Sequence, residues 1–258
     1  MAATVAAATG FGTGSVVAVT TATVTKPAGS AAGDVLVLFA NCVAAANTWS
    51  APNFTAVTAA TGTNGSCQVL YRVLDGSGSD PGATFTVTAG TASQWAGTCM
   101  RVTGATASPF DPAPTSGQVN AGSTSVTAAS ITTTVSGDLL IWCGGDRVAS
   151  GAPNTLTLPG GYTDSGAGQT STSTASSANA ASIAGFTTQS VAGATGTVTG
   201  TQTAATANVA VLLGIQAAAS AAGWLPQPGG RVWRRRHRRR QTVPPQQPPP
   251  LEGWGRPV

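Results

Sequence analysis

Charged and aromatic side chains are both scarce in this chain. Of its 258 residues, 8% are charged and 5% aromatic, whereas an ordinary soluble domain is roughly a quarter charged. Up to residue 230 there is no Glu and no His; the single His is His237 and the single Glu is Glu252. General acid–base catalysis needs a titratable pair beside the substrate, and the first 230 residues offer only seven scattered Asp. A Ser-His-Asp or Cys-His arrangement therefore lacks its base. No G-x-S-x-G elbow and no Walker-type Gly-Lys is present either. The carboxylates Asp75 with Asp80, or Asp146 with Asp164, are the available pairs for glycoside hydrolysis. Asp in Gly-rich stretches such as Asp75-Gly76 and Asp80-Pro81-Gly82 is turn chemistry, and Asp34 and Asp138 also stand at strand entries. An enzyme is not expected, nor a cofactor.

Cys42, Cys67, Cys99 and Cys143 form no C-x-x-C pair and have no nearby His to complete a zinc site, so no metal is expected. Buried reduced thiols are the expectation. The first Lys is Lys26, so no charged segment precedes an apolar stretch in the manner of a secretory leader. The longest apolar run, Val209 to Ala222, is interrupted by Gly214, Gln216 and Ser220. It falls short of the roughly 18 residues of a membrane-spanning helix.

What is abundant is Ala and Val, diluted by Thr, Ser and 33 Gly. Branched residues favour strands and glycines favour turns, so the chain reads as all-β, and it is long enough for a substantial core. The net charge of +4 hides two opposite parts. Residues 1–230 hold Lys26, Arg72, Arg101 and Arg147 against seven Asp, a net of −3, whereas residues 231–258 hold eight Arg and one Glu, a net of +7. Only that last part should seek acidic partners.

Internal repetition carries the most information. Gly33-Asp34-Val35-Leu36-Val37-Leu38 recurs as Gly137-Asp138-Leu139-Leu140-Ile141-Trp142, 104 residues later. Gly82-Ala83-Thr84-Phe85-Thr86-Val87-Thr88 recurs as Gly193-Ala194-Thr195-Gly196-Thr197-Val198-Thr199, 111 residues later. Between them, Pro52-Asn53-Phe54-Thr55 is echoed by Pro159-Gly160-Gly161-Tyr162-Thr163. The order is kept while the offset grows, as for two copies of one unit that differ by loop insertions. Val35 to Phe39 and Leu139 to Trp142 are continuous apolar runs, expected as strands buried on both faces. Phe85 and Val87 alternate with Thr, expected where one face meets water. Cys99 to Val102 and Val209 to Ile215 are further strand candidates. The predicted body, residues 1–222, is a jelly-roll-like β-sandwich of two repeated units, about 26–105 and 134–217. Linker 106–133 joins them and carries the alternating segment Ser123 to Thr127.

Residues 223–258 are expected to form an extended tail outside the sandwich. Arg234, Arg235, Arg236, Arg238, Arg239 and Arg240 crowd around His237, with Trp233 before them, prolines from Pro244 to Pro250 after them, and Trp254 near the end. Charge repulsion and proline both oppose a helix and favour polyproline II. Such a tail can neutralise nucleic-acid phosphates, lie solvated, or dock across an acidic surface of a neighbouring subunit with Trp233 and Trp254 as anchors. Docking is favoured, because prolines and tryptophans add nothing to charge neutralisation.

The phrase Lys26-Pro27-Ala28-Gly29-Ser30-Ala31-Ala32-Gly33-Asp34-Val35-Leu36-Val37-Leu38-Phe39, the later proline turn and the second Gly-Asp-Leu-Leu strand resemble duplicated β-sandwich proteins of tailed bacteriophages. Phe54-Thr55 and Tyr162-Thr163 stand where those proteins have Gly-Trp-Thr. The resemblance covers roughly residues 20–217. It implies a non-enzymatic virion structural protein, on a tail appendage or fibre or as a capsid decoration, assembled in the host cytoplasm with other virion proteins as partners. Flat faces with few charges and unpaired strand edges also call for self-association, a trimer being one symmetric solution. The alternative is a carbohydrate-binding adhesion module, with an exposed Trp49 or Trp95 stacking on sugar rings, although a Trp near a strand is more often a core residue.

Overall fold

The computed structural model describes residues 2–12, 18–42, 44, 46–62, 65–114, 117–148, 154–172 and 179–219. The chain divides into a compact unit, Met1–Ala221, and a second unit, Ala222–Val258. The described residues belong to the first, so the tail lies outside them. The described elements are all strands, as the composition predicts, and no helix among the described residues is long and apolar enough to cross a membrane.

In chain order the first nine strands are β1 (Thr4–Gly12), β2 (Val19–Thr25), β3 (Val35–Cys42), β4 (Trp49–Ser50), β5 (Thr55–Gly62), β6 (Gly65–Val73), β7 (Thr84–Ser93), β8 (Trp95–Thr103) and β9 (Ala105–Phe110). The rest are β10 (Gln118–Ala128), β11 (Thr132–Thr133), β12 (Asp138–Val148), β13 (Leu156–Thr157), β14 (Thr163–Asp164), β15 (Thr170–Ser171), β16 (Asn179–Gln189), β17 (Gly193–Ala194) and β18 (Val198–Ala217). One large sheet runs β1-β8-β3-β6-β5, and a small sheet β2-β7-β4 accompanies it. The second large sheet runs β10-β18-β12-β16-β14, with β9 and β13 also paired to β18 and β15 to β16. β11 and β17 pair separately.

Alternation along the central strands sorts their side chains into layers, because successive residues point to opposite faces. On β3, Leu36, Leu38 and Ala40 pack with Val24, Phe85 and Val87 of the small sheet. Val35, Val37 and Phe39 instead join Leu139, Ile141 and Cys143 of β12 and Val211, Leu213 and Ile215 of β18. Beyond that seam, Leu140 and Trp142 pack with Val126, Leu156 and Leu212. All eight residues of β3 are consequently buried, as the continuous apolar run predicts.

One end of the seam between the large sheets is polar. Asn41 Nδ2 donates to the carbonyls of Asp146 (3.3 Å) and Ala181 (3.1 Å), and Thr170 Oγ1 donates to the Gly97 carbonyl (3.0 Å). Buried amides and hydroxyls need such partners, so these bonds constrain how the sheets can slide.

Two features depart from the strands read in the sequence. Val198 and Thr199, the end of the segment 193–199, and the separately expected 209–215 both lie in β18, twenty residues long, while Gly193 and Ala194 form β17. Its first part pairs with Leu156 of β13 and its second with β12, so one strand serves two layers. Register shifts in its ladder with β10, between Asn120 and Ser125, accommodate the bend. The sequence reading also placed no strand before residue 26, yet β1 and β2 occupy that region. The alternation of Thr21, Thr23 and Thr25 with Ala22 and Val24 is the signal that marks β2.

Candidate functional site

The tail residues Trp233, Arg234, Arg235, Arg236, Arg238, Arg239, Arg240 and Trp254 all lie outside the described residues. The described candidates are therefore the carboxylates, the tryptophans, the thiols and the concave surface of the second large sheet.

The two Gly-Asp strand entries share a backbone shape but differ in chemistry. Gly33 (φ 88°) and Gly137 (φ 85°) both occupy the left-handed region that favours glycine. Asp34 Oδ2 accepts from the Ala31 N–H (2.9 Å) and from Arg101 Nε (2.7 Å), so it closes its turn and pairs with a charge. Asp138 does neither. It is 0% exposed, and neither carboxyl oxygen has a donor group as partner. The turn role expected of its side chain is thus not taken up; Asp111, which crosses over Gly214 opposite Leu140, is an acidic neighbour on the same face. Burial, and then Asp111, push the Asp138 carboxyl up to about 7.

Asp111 is well supplied with donors. It accepts from the Thr134 N–H (2.8 Å), the Thr134 hydroxyl (2.8 and 2.9 Å) and the Val135 N–H (2.9 Å). Burial opposes its charge, but these donors hold it below the usual carboxylate range. Its N–H donates to the Gly214 carbonyl (3.0 Å). A Cβ on Gly214 would stand 1.9 Å from the Asp111 carbonyl oxygen, so glycine is what lets the linker approach here. Sequence reading missed this pair because its members are 27 residues apart, one in the linker and one at a strand entry.

The carboxylates weighed for glycoside hydrolysis are engaged in structure. Asp75 and Asp80 are bridged by Arg72 Nη2 (3.3 and 3.1 Å). Asp80 also accepts the Asp75 and Gly76 N–H groups, and Asp75 accepts that of Ser77. Asp146 is buried and accepts from the Asn154 (2.8 Å) and Ala181 (2.7 Å) N–H groups, whereas Asp164 accepts from those of Gly166 and Gly168. Asp146 lies near Ala181 and Asp164 beside Gly185 on β16, roughly 13 Å apart along the strand at 3.3 Å per residue. The structure does not bring these two together.

Trp49 and Trp95 are 3% and 0% exposed, with ring centroids 6.2 Å apart. They are core residues, the commoner role for a Trp near a strand, so neither serves the alternative reading as a sugar-stacking platform. The four cysteines are buried and unpaired with one another, as expected.

A depression of about 350 Å³ opens on the second large sheet, lined among others by Tyr162, Pro159, Leu140, Thr187, Gln189 and Thr197. Its lining carries no charged side chain. The phenol oxygen of Tyr162 is buried there without a partner.

Comparison with protein-family models, with curated protein sequences and with solved structures finds no match to this chain.

Proposed function

We propose that this chain is a non-enzymatic virion structural protein of a tailed bacteriophage, a duplicated jelly-roll-like body for display and assembly, anchored by its basic, proline-rich C-terminal tail. The observation that best supports the reading is the likeness between two strand orders. In the first copy the large sheet is β1-β8-β3-β6-β5 and the small sheet β2-β7-β4. In the second, the parts of β10 and β18 on the large sheet, with β12, β16 and β14, follow the first order. Their other parts, with β13, follow the second. The Gly-Asp motif opens the central strand of each copy, β3 and β12. An eight-strand unit ordered 1-8-3-6 on one face and 2-7-4 on the other follows jelly-roll winding, with the fifth strand moved to the larger sheet.

Engagement of the body's carboxylates in turns, ion pairs and burial supports a scaffold rather than a catalyst. Assembly with other virion proteins and self-association, a trimer being one arrangement, would cover the sheet edges at β5 and β14. Six clustered guanidinium groups, Arg234 to Arg240 around His237, suit an acidic protein surface, nucleic acid being the competing partner.

The test is to produce particles with the full chain and with a chain ended at Gly223, and to image a label fused to the body. Regular labelled positions that vanish on truncation, and attachment that weakens with salt, are expected. Normal incorporation of the truncated chain would overturn the anchoring role. Absence of the label from particles altogether would overturn the virion assignment.

A second reading, a carbohydrate-binding adhesion module, is favoured by the uncharged depression around Tyr162. Threonines and Gln189 offer neutral hydrogen bonds beside the apolar Leu140 and Pro159 and the half-buried Tyr162, the mix a sugar ring requires. Glycan-array binding lost on Tyr162→Ala with the melting curve unchanged would select it.

A further inference from the structure

We propose that Asp111 and Asp138 share a single proton, forming an acid-stabilised latch that fastens the linker to the entry of β12 and loosens when that proton is lost. The geometry leaves no other donor for Asp138. Both its oxygens are buried without a donor partner, while Asp111, hydrogen-bonded by Thr134 and Val135 just before β12, crosses over Gly214 opposite Leu140, on the face of β12 that Asp138 shares. Two like charges so placed cannot both persist in a buried site, so one carboxyl must carry a proton and donate it to the other. The donor sets assign that proton to Asp138 and the charge to Asp111.

Among the described residues, the elements flanking the strand entry supply no cation to change this balance. β16, β18, β11 and β17, the elements around the strand entry, contain no titratable or charged residue, and β9 leads directly into Asp111. On β12 itself the other charged groups are Asp146 and Arg147, eight and nine residues on, roughly 26 Å away along an extended strand.

The sign follows from the raised value of Asp138. The protonated form is favoured by folding, so the stabilisation is full below the ordinary carboxylate pKa and is lost as pH rises through about 7. Above that, repulsion acts between the linker and β12, at a point where Asp111 also holds Gly214 of β18 through its N–H. Loss of the proton therefore bears on three segments together.

The full-length chain, Asp138→Asn and Asp111→Asn are compared by thermal melting from pH 5 to pH 9 and by difference infrared spectroscopy. The wild type should lose about 5 °C of melting temperature or more across pH 7, by the usual scaling for a domain of this size. Asp138→Asn should lose that step, because its amide donates to Asp111 at any pH. In an Asp146→Asn background, a protonated-carboxyl band present at pH 6 should be missing once Asp138→Asn is added. Absence of that band from the wild type at pH 6 would overturn the proposal even if a variant failed to fold. So would a melting temperature raised by calcium in the wild type but not in Asp138→Asn, which would make the pair a cation site.

Discussion

Asn41 and Gly145 meet across the seam between the two large sheets, where a Cβ on Gly145 would stand 2.4 Å from Cγ of Asn41. Glycine at 145 is what allows the Asn41 amide to reach the carbonyls of Asp146 and Ala181. Gly145→Ala should therefore destabilise the body by about 1–3 kcal/mol through overpacking. Chemical denaturation of Gly145→Ala, Asn41→Ala and the double variant forms a mutant cycle. A non-additive result, with the double variant losing less than the sum, is expected; simple additivity would show that the two residues are not coupled.

Arg101 neutralises Asp34 at the entry of β3, and its Nη1 donates to the Ala28 carbonyl (3.2 Å). Arg101→Met keeps the aliphatic stem and removes the charge, leaving a largely buried carboxylate with one donor fewer. A loss of about 1–3 kcal/mol is expected in urea unfolding. The Asp34→Asn/Arg101→Met double variant should recover part of it.

The sequence showed the class of fold, the two Gly-Asp strands and their burial on both faces, because a run such as Val35 to Phe39 leaves no polar position for a wet face. It did not show that alternate residues of β3 serve different cores. That division depends on which sheet lies on each side, and the partners of Val37 include Ile141 and Leu213, far away in the chain. Asp138 reads as a copy of Asp34 from its motif. Its chemistry differs because Arg101 faces Leu36 on β3, whereas the glycine Gly214 faces Leu140 on β12. Trp49 and Trp95 take the core role that is commoner for a Trp near a strand, although no local signal separates a core indole from a surface one.

Asp146 gives the body a second dependence on pH. Burial outweighs its two backbone donors and pushes the carboxyl up to about 6. Its contribution is full below the ordinary value and is lost as pH rises through about 6, on the order of 2 kcal/mol. Denaturant midpoints between pH 4 and pH 6 should fall in the wild type and fall less steeply in Asp146→Asn, the remaining slope being that of Asp138. That variant should also start lower, because an amide cannot accept with both its terminal atoms from the Asn154 and Ala181 N–H groups.

The thiols should be silent. Burial pushes Cys67 up to about 12 and raises Cys99 and Cys143 as well, so the thiolate form is suppressed. A thiol reagent at pH 8 should label none of the four cysteines in the native body, and all four once it is unfolded in denaturant. Rapid labelling of the native chain would show that the seam opens.

The shared apolar seam also dictates when the molecule can finish folding during synthesis. Val35, Val37 and Phe39 wait for Leu139, Ile141, Leu213 and Ile215 before their face is covered, and Asn41 waits for a carbonyl 140 residues later. Translation proceeds at about 5–20 residues per second, so the N-terminal half passes several seconds beside the ribosome with one oily face wet. Until the second half of the body has been made, that face has nothing of its own chain to cover it.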